Sequence, residues 1–286
     1  MYETILNFLI RNNFQGLNKI LFKVFKFFLK KKIVLNFLKY KFYAYPQKKE
    51  LSRWMIKNLK IWEESSVEMI INQIKNDNTT FIDIGSNYGA YSIPIAKLKN
   101  RINVYCFDPS EKALNQLKDN IKLNDIKNIK YFKVGVGEKN KTAFFNDEIK
   151  NYKNSGLYEI SNKYSGNKIL INSIDNLIEN GEIIPKKKII IKMDIEGYEF
   201  LALQGLIKTI KKYDTFIFFE FSIKIVSNHD NLLILFTKFL KENNLKIFNS
   251  EFYEVKIEDL FDKVNHLPKG HEVVGNYIIS KNINFN

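Results

Sequence analysis

Apolar residues in this chain fall into short dense runs separated by stripes of helical spacing. Thr80-Phe81-Ile82-Asp83-Ile84 is a β-rich run that breaks at Gly85. It reopens at Gly89 into Ala90-Tyr91-Ser92-Ile93-Pro94-Ile95-Ala96, which reads as a helix. A second strand is expected at 102–107, a helix from Ser110 to Asn124 with Ser110 as N-cap, and a third strand from Ile129 to Val136. Ile189 to Met193 and Thr215 to Phe219 are almost continuously apolar, as central strands covered on both faces are. Strands alternating with helices predict an α/β domain of Rossmann-like type, its sheet doubly wound and mostly parallel.

Residues 137–175 depart from that alternation. Thr142 to Asn146, Leu157 to Ile160 and Ile169 to Ile171 read as short strands with Gly156 and Gly166 at turns, a small antiparallel insertion. Ser173 to Asn180 reads as a short helix stopped by Gly181. The last third predicts a helix at Asn231 to Asn243 and strands at Lys246 to Phe248, Glu254 to Ile257 and Val273 to Ser280. Residues 44–79 form a lead-in with two helical stripes and Glu63 and Glu64 between them.

Residues 1–43 stand apart as a basic N-terminal helical extension, with 44–286 as the main domain. Leu21, Val24, Phe25, Phe28 and Leu29 share one helix face, and Lys19, Lys23, Lys26 and Lys30 cluster opposite. Lysine interrupts the apolar runs too often for a membrane span, and no small-residue cleavage site marks a signal peptide. Such a helix either lies in a membrane interface or packs its apolar face on the core or a partner.

Charge sharpens the division. The net charge is +14, of which residues 1–43 carry +8. Arg11, Arg53 and Arg101 are the only arginines, which argues against a nucleic-acid site built on arginine forks. The single cysteine, Cys106, lies in the second predicted strand and reads as a small buried hydrophobe; no disulfide framework exists, so a reducing, cytoplasmic setting fits.

The candidate chemistry gathers at strand ends, where open α/β sheets bind ligands. Asp83-x-Gly85-Ser86-Asn87-x-Gly89 differs from the dinucleotide fingerprint G-x-G-x-x-G. An acid there would repel a pyrophosphate but suit a ligand carrying a sulfonium and an ammonium. Glycine would let the backbone turn sharply and a ligand approach closely. Asp108, ending the second strand, is placed to accept hydrogen bonds from ribose hydroxyls. Asp194 ends the fourth strand and Glu196 and Glu199 follow it into a helix, where N-terminal capping is the competing explanation. His229 follows the fifth strand and is a candidate base, or an ordinary surface histidine.

Taken together, these segments resemble the FkbM-type S-adenosylmethionine-dependent methyltransferases, a class I family. Ile191-Lys192-Met193-Asp194-Ile195-Glu196-Gly197-Tyr198-Glu199 is similar to the family's I-K-x-D-x-E-G-x-E signature. Phe81 to Gly89 resembles its D-[IV]-G-A-N-x-G motif, with Ser86 for alanine. Phe107-Asp108-Pro109, the pair Asn120 and Asn124, Ser173-Ile174-Asp175-Asn176-Leu177 and Phe219-Glu220 follow in the family's order, the whole covering about residues 60–222. The resemblance implies O-methyl transfer from S-adenosylmethionine to a small molecule or to a sugar hydroxyl of a surface glycan. Asp83, Gly85, Ser86, Asn87, Gly89 and Asp108 would hold the cofactor; Asp194, then Glu220 or His229, would serve as base. A divalent metal such as magnesium, on Asp194, Glu196 and Glu199, is left open. RNA methylation and a non-catalytic partner- or membrane-binding role are the alternatives.

Overall fold

The computed structural model describes residues 4–5, 7–8, 32–37, 39–45, 50–146, 159–161, 167–227, 231–268 and 271–281. Its frame is an eight-stranded sheet. The strands are β3 (Thr79–Ile84), β4 (Asn103–Phe107), β5 (Ile129–Phe132), β10 (Lys188–Met193), β11 (Asp214–Ser222), β12 (Lys246–Asn249), β13 (Glu254–Val255) and β14 (Val273–Ser280). Their spatial order is β13-β12-β14-β11-β10-β3-β4-β5. From β11 to β5 neighbouring strands are parallel, and β14 runs antiparallel to both β11 and β12. This is the doubly wound, mostly parallel sheet expected.

The chain leaves β3 outward to β4 and β5, then returns to lay β10 on the other side of β3. The crevice-forming switch point therefore lies between β3 and β10. One face carries Phe81, Ile190, Phe216 and Phe218, packed with Tyr88, Tyr91, Ile93, Leu114 and Leu117. The opposite face carries Ile82, Ile191, Ile217 and Phe219, packed with Phe200, Leu203, Ile210 and Phe236. Burial on both sides explains the unbroken apolar runs of β10 and β11.

The helices carry their sequence signals. Before α4 (Glu111–Leu123), the Ser110 hydroxyl accepts from the Ala113 amide at 3.2 Å. Before α5 (Ile174–Glu179), Ser173 accepts from Asn176 at 3.2 Å, and Gly181 takes φ 73° just beyond its end. The insertion is a separate four-stranded sheet of β6 (Gly135–Val136), β7 (Lys141–Asn146), β8 (Glu159–Ser161) and β9 (Asn167–Asn172), in the order β6-β9-β7-β8. It is antiparallel except for the β6–β9 pair.

Three expectations change. The strand expected from Ile129 to Val136 is divided, β5 ending at Phe132 in the main sheet and β6 belonging to the insertion's sheet. Residues 33–37 and 40–43, placed within a helical extension, are strands of an antiparallel hairpin, β1 (Ile33–Phe37) and β2 (Tyr40–Ala44). Ile33, Leu35 and Phe37 are buried while Val34 and Asn36 are half-buried, the period of a strand. The Leu21 to Leu29 stripe lies outside the described residues. The expected strand at 254–257 ends at Val255, because Ile257, Leu260 and Val264 form the buried stripe of α10 (Ile257–Asn265).

Asn120 of α4 and the C-cap residue Asn124 dock the hairpin. Asn124 accepts from the Lys41 amide and donates to the Lys41 carbonyl, both at 2.7 Å. Asn120 accepts from the Tyr43 amide at 2.9 Å. Side-chain amides thus imitate a neighbouring strand along β2, satisfying its outward backbone groups. Asn120 also donates to the Tyr88 carbonyl at 2.9 Å, so the hairpin is tied to the turn after β3.

Candidate active site

Two turns meet at the switch point. Gly85 (φ 78°), Asn87 (φ 46°) and Gly89 (φ 92°) carry the chain from β3 into α3 (Ser92–Leu98). Glu196 (φ 59°) and Gly197 (φ 102°) carry it from β10 towards α6 (Glu199–Gln204). A Cβ on Gly85 would stand 1.9 Å from the Asp194 carbonyl oxygen, and one on Gly89 would stand 2.6 Å from Leu117 Cδ1. The expectation that these glycines clear space for a ligand is therefore revised. The second turn fills the space over Gly85, and helix packing fills that over Gly89.

Asp83 is fully buried beneath the first turn rather than standing on its rim. Ser92 donates to its Oδ2, and the Cys106 thiol donates to Ser92 at 3.0 Å. Cys106 is a buried, inert thiol, held well above its ordinary pKa by burial. Oδ1 of Asp83 has no hydrogen-bond partner; its nearest cation is the Lys192 ammonium at 3.7 Å. Desolvation pushes the Asp83 pKa up, against the pull of Lys192.

Lys192 is the residue that sequence reasoning passed over. The register sets it directly across from Asp83, and it is 4% exposed. Its ammonium donates to the Gly85 carbonyl at 3.0 Å, lies 3.4 Å from Asp194 Oδ2, and sits 5.2 Å from the centre of the Tyr91 ring. Burial works against its charge, but Asp194 and Asp83 hold its pKa above the ordinary lysine value. The signal was one charge inside the run Ile189-Ile190-Ile191-Lys192-Met193, where lysine is buried only when paired.

Asp108 is nearly enclosed. Its Oδ2 accepts from the Asn87 amide at 2.9 Å and its Oδ1 from the Ser110 amide at 2.8 Å. It joins the first turn to the start of α4 and keeps one lone pair free on each oxygen. Burial raises its pKa to about 6 despite those bonds. Ser86 is buried with a hydroxyl that has no partner.

The acids at the ends of β10 and β11 are arranged differently. Glu199 points inward, accepting from Ile195 and Gly197 amides at 2.9 Å each, so it closes its own turn. Asp194, Glu196 and Glu220 are half-buried. Lys224 lies 3.3 Å from both Glu196 and Glu272. Burial, then neighbouring carboxylates led by Asp194, push Glu220 to about 9 and Glu196 to about 7; burial alone leads for Glu199, at about 8. Among the described residues no three acids, histidines or cysteines converge as a metal site, and the set Asp194, Glu196, Glu199 is divided by Glu199's inward turn. His229 lies outside the described residues.

The donor set can be tested against a sulfonium ligand. The edge presents several carboxylates, one buried ammonium and an unpartnered Ser86 hydroxyl, a set that suits a cationic ligand with further hydrogen-bonding groups.

The model of the methyltransferase FkbM domain matches residues 83–244. Hexuronic acid methyltransferase AglP of Haloferax volcanii is 24% identical over 160 residues, 55% of this chain and 62% of the relative. The release factor glutamine methyltransferase of Buchnera aphidicola is 24% identical over 129 residues, 42% of this chain and 47% of the relative. The chain thus spans less than two thirds of the length of either curated relative. Among solved structures, M. jannaschii TYW2 in complex with AdoMet aligns with 15% identity over 88% of this chain and 87% of that one, at a TM-score of 0.41. A Streptococcus thermophilus rRNA methylase aligns with 11% identity over 76% and 95%, at 0.42. With more than half of its length matched in one block, from the Asp83 turn through both acid-bearing strand ends, this chain belongs to the FkbM methyltransferase domain family.

Proposed function

We propose that the protein transfers a methyl group from S-adenosylmethionine to a hydroxyl group of a sugar, in a surface glycan or a related small molecule. The observation that carries this reading is the row of carboxylates around Lys192 at the switch point of a chain in this family. The similarity to a protein named hexuronic acid methyltransferase supports a sugar as acceptor.

The cofactor would supply an electrophilic methyl carbon. The turn Gly85 to Gly89 and Asp108 would hold it, the free lone pairs of Asp108 being available to ribose hydroxyls. Asp194 is the proposed base: it is half-buried at the crevice and an ionised carboxylate accepts the proton that leaves the hydroxyl. Glu220, with its pKa near 9, holds its proton at neutral pH and serves better as a hydrogen-bond donor to the acceptor. Peripheral contact with an anionic membrane surface is proposed on the charge of residues 1–43 alone.

The test is transfer of labelled methyl groups to a panel of sugars and glycan fragments. Asp194→Asn should still bind cofactor, within about tenfold of wild type, and lose about 100-fold or more in turnover. Turnover within a few-fold of wild type would make Asp194 a turn residue and place the base elsewhere. No transfer to any sugar, with transfer to another class of acceptor, would overturn the sugar assignment.

A further inference from the structure

We infer that Glu63 is a positioning residue that ties the lead-in segment and the last strand together over the candidate site; the inference rests on the methyl-transfer reading. Glu63 directly precedes α2 (Glu64–Gln73) with a left-handed backbone, φ 53° and ψ 39°. A non-glycine side chain is uncommon in that conformation. What the conformation achieves is visible in the partners of the carboxylate. Oε2 accepts from the Tyr91 hydroxyl at 2.5 Å, and Oε1 accepts from the Asn276 side-chain amide at 3.0 Å.

Those two partners serve the two halves of the site. The ring of Tyr91 lies beneath the Lys192 ammonium, which contacts Asp83, Asp194 and the Gly85 carbonyl. Asn276 sits on β14 directly across from Glu220. One carboxylate thus fixes the ring that bears on the turn side of the crevice and the strand that bears on Glu220. Ser66 also stands at the Tyr91 hydroxyl. Both Glu63 and Asn276 lie outside residues 83–244, so the family match does not contain this tie. Glu63 would act through Tyr91 and Asn276 and would not touch the reacting atoms.

The test is calorimetric binding of S-adenosylmethionine to the full-length chain, with thermal unfolding of each variant alongside. Glu63→Ala should weaken binding about tenfold. Glu63→Gln should recover to within about threefold, since its amide oxygen still accepts from Tyr91 and its NH2 can meet a flipped Asn276. The double variant Glu63→Ala/Tyr91→Phe should bind no more weakly than Glu63→Ala alone, as expected for residues acting as a unit. Wild-type affinity in Glu63→Ala, no recovery in Glu63→Gln, or additive losses in the double variant would each overturn the inference. If Glu63→Ala does not fold, Tyr91→Phe and Asn276→Ala decide. Weakened binding in both supports the tie, and wild-type affinity in either overturns it. Failure of the wild-type chain to bind would overturn the methyl-transfer reading itself, and the inference with it.

Discussion

The two halves of the sheet's carboxyl edge hold acids in opposite states. At β3 and β4, Asp83 and Asp108 are buried and occupied: Ser92 and Lys192 serve the first, two backbone amides the second. At β10 and β11, Asp194, Glu196 and Glu220 are half-buried; Asp194 raises the pKa of Glu196 and Glu220, and two ammonium groups, Lys192 at Asp194 and Lys224 at Glu196, serve the three acids. The first half is tied into the structure, with Asp83 Oδ1 and one lone pair on each Asp108 oxygen left over. The second carries unspent charge that a bound cation or a proton-bearing acceptor would use. A single lysine, Lys192, joins the two.

The comparison breaks most completely at the contact between the turns. Gly85→Ala puts a methyl group into the Asp194 carbonyl at a backbone φ of 78°. Neither turn has a flexible end to move, so the cost should exceed about 4 kcal/mol. Thermal unfolding should show a loss of more than 10 °C or no folded protein. A near-native midpoint would mean that the two turns separate easily.

Removing the shared lysine comes next. Lys192→Met leaves Asp83 buried without its cation, a change that costs about 3–5 kcal/mol for a buried pair. The loss should ease at low pH, where Asp83 protonates, and denaturant unfolding at two pH values would measure it. A loss that is the same at both would show that Lys192 is needed for packing and not for charge.

A smaller effect tests the raised glutamates of the other half. Glu196, Glu199 and Glu220 have pKa values raised from 4.5 to about 7, 8 and 9, so the folded state holds more protons than the unfolded one between those limits. Stability should therefore fall as pH rises from about 5 to 9. Glu220→Gln should flatten that decline, because an amide has no proton to lose. An unchanged slope would mean that Glu220 is not under strain from its neighbours.

The sequence made the β3–β4 half easier to read than the β10–β11 half. Gly85, Asp83 and Asp108 stand where a strand run breaks, and Ser110 and Ser173 are caps with local partners; all of these are short-range signals. The reason for Gly85 was not legible, because Asp194 is over 100 residues away and meets it only through parallel pairing of β3 and β10. The same holds for Glu63, whose partners are 28 and 213 residues distant. The hairpin was hidden because Val34 and Tyr43 put apolar and aromatic side chains at its outward positions and blur the alternation, and Asn120 and Asn124 gave no hint of the strand they dock. The α10 stripe, by contrast, was present in the spacing of Ile257, Leu260 and Val264 and was masked by the β-like start of Glu254 and Val255.

The central claim is that the unspent carboxylates of β10 and β11 are matched to a cation. S-adenosylmethionine carries a sulfonium charge that its demethylated product lacks, so the ratio of their affinities isolates that charge. Calorimetric titration of the wild-type chain with both, at pH 6 and pH 8.5, is the direct measurement. As Glu196 and Glu220 lose protons over that range, the ratio should move towards S-adenosylmethionine by about threefold or more. A ratio that stays flat, or moves towards the product as pH rises, would contradict the account.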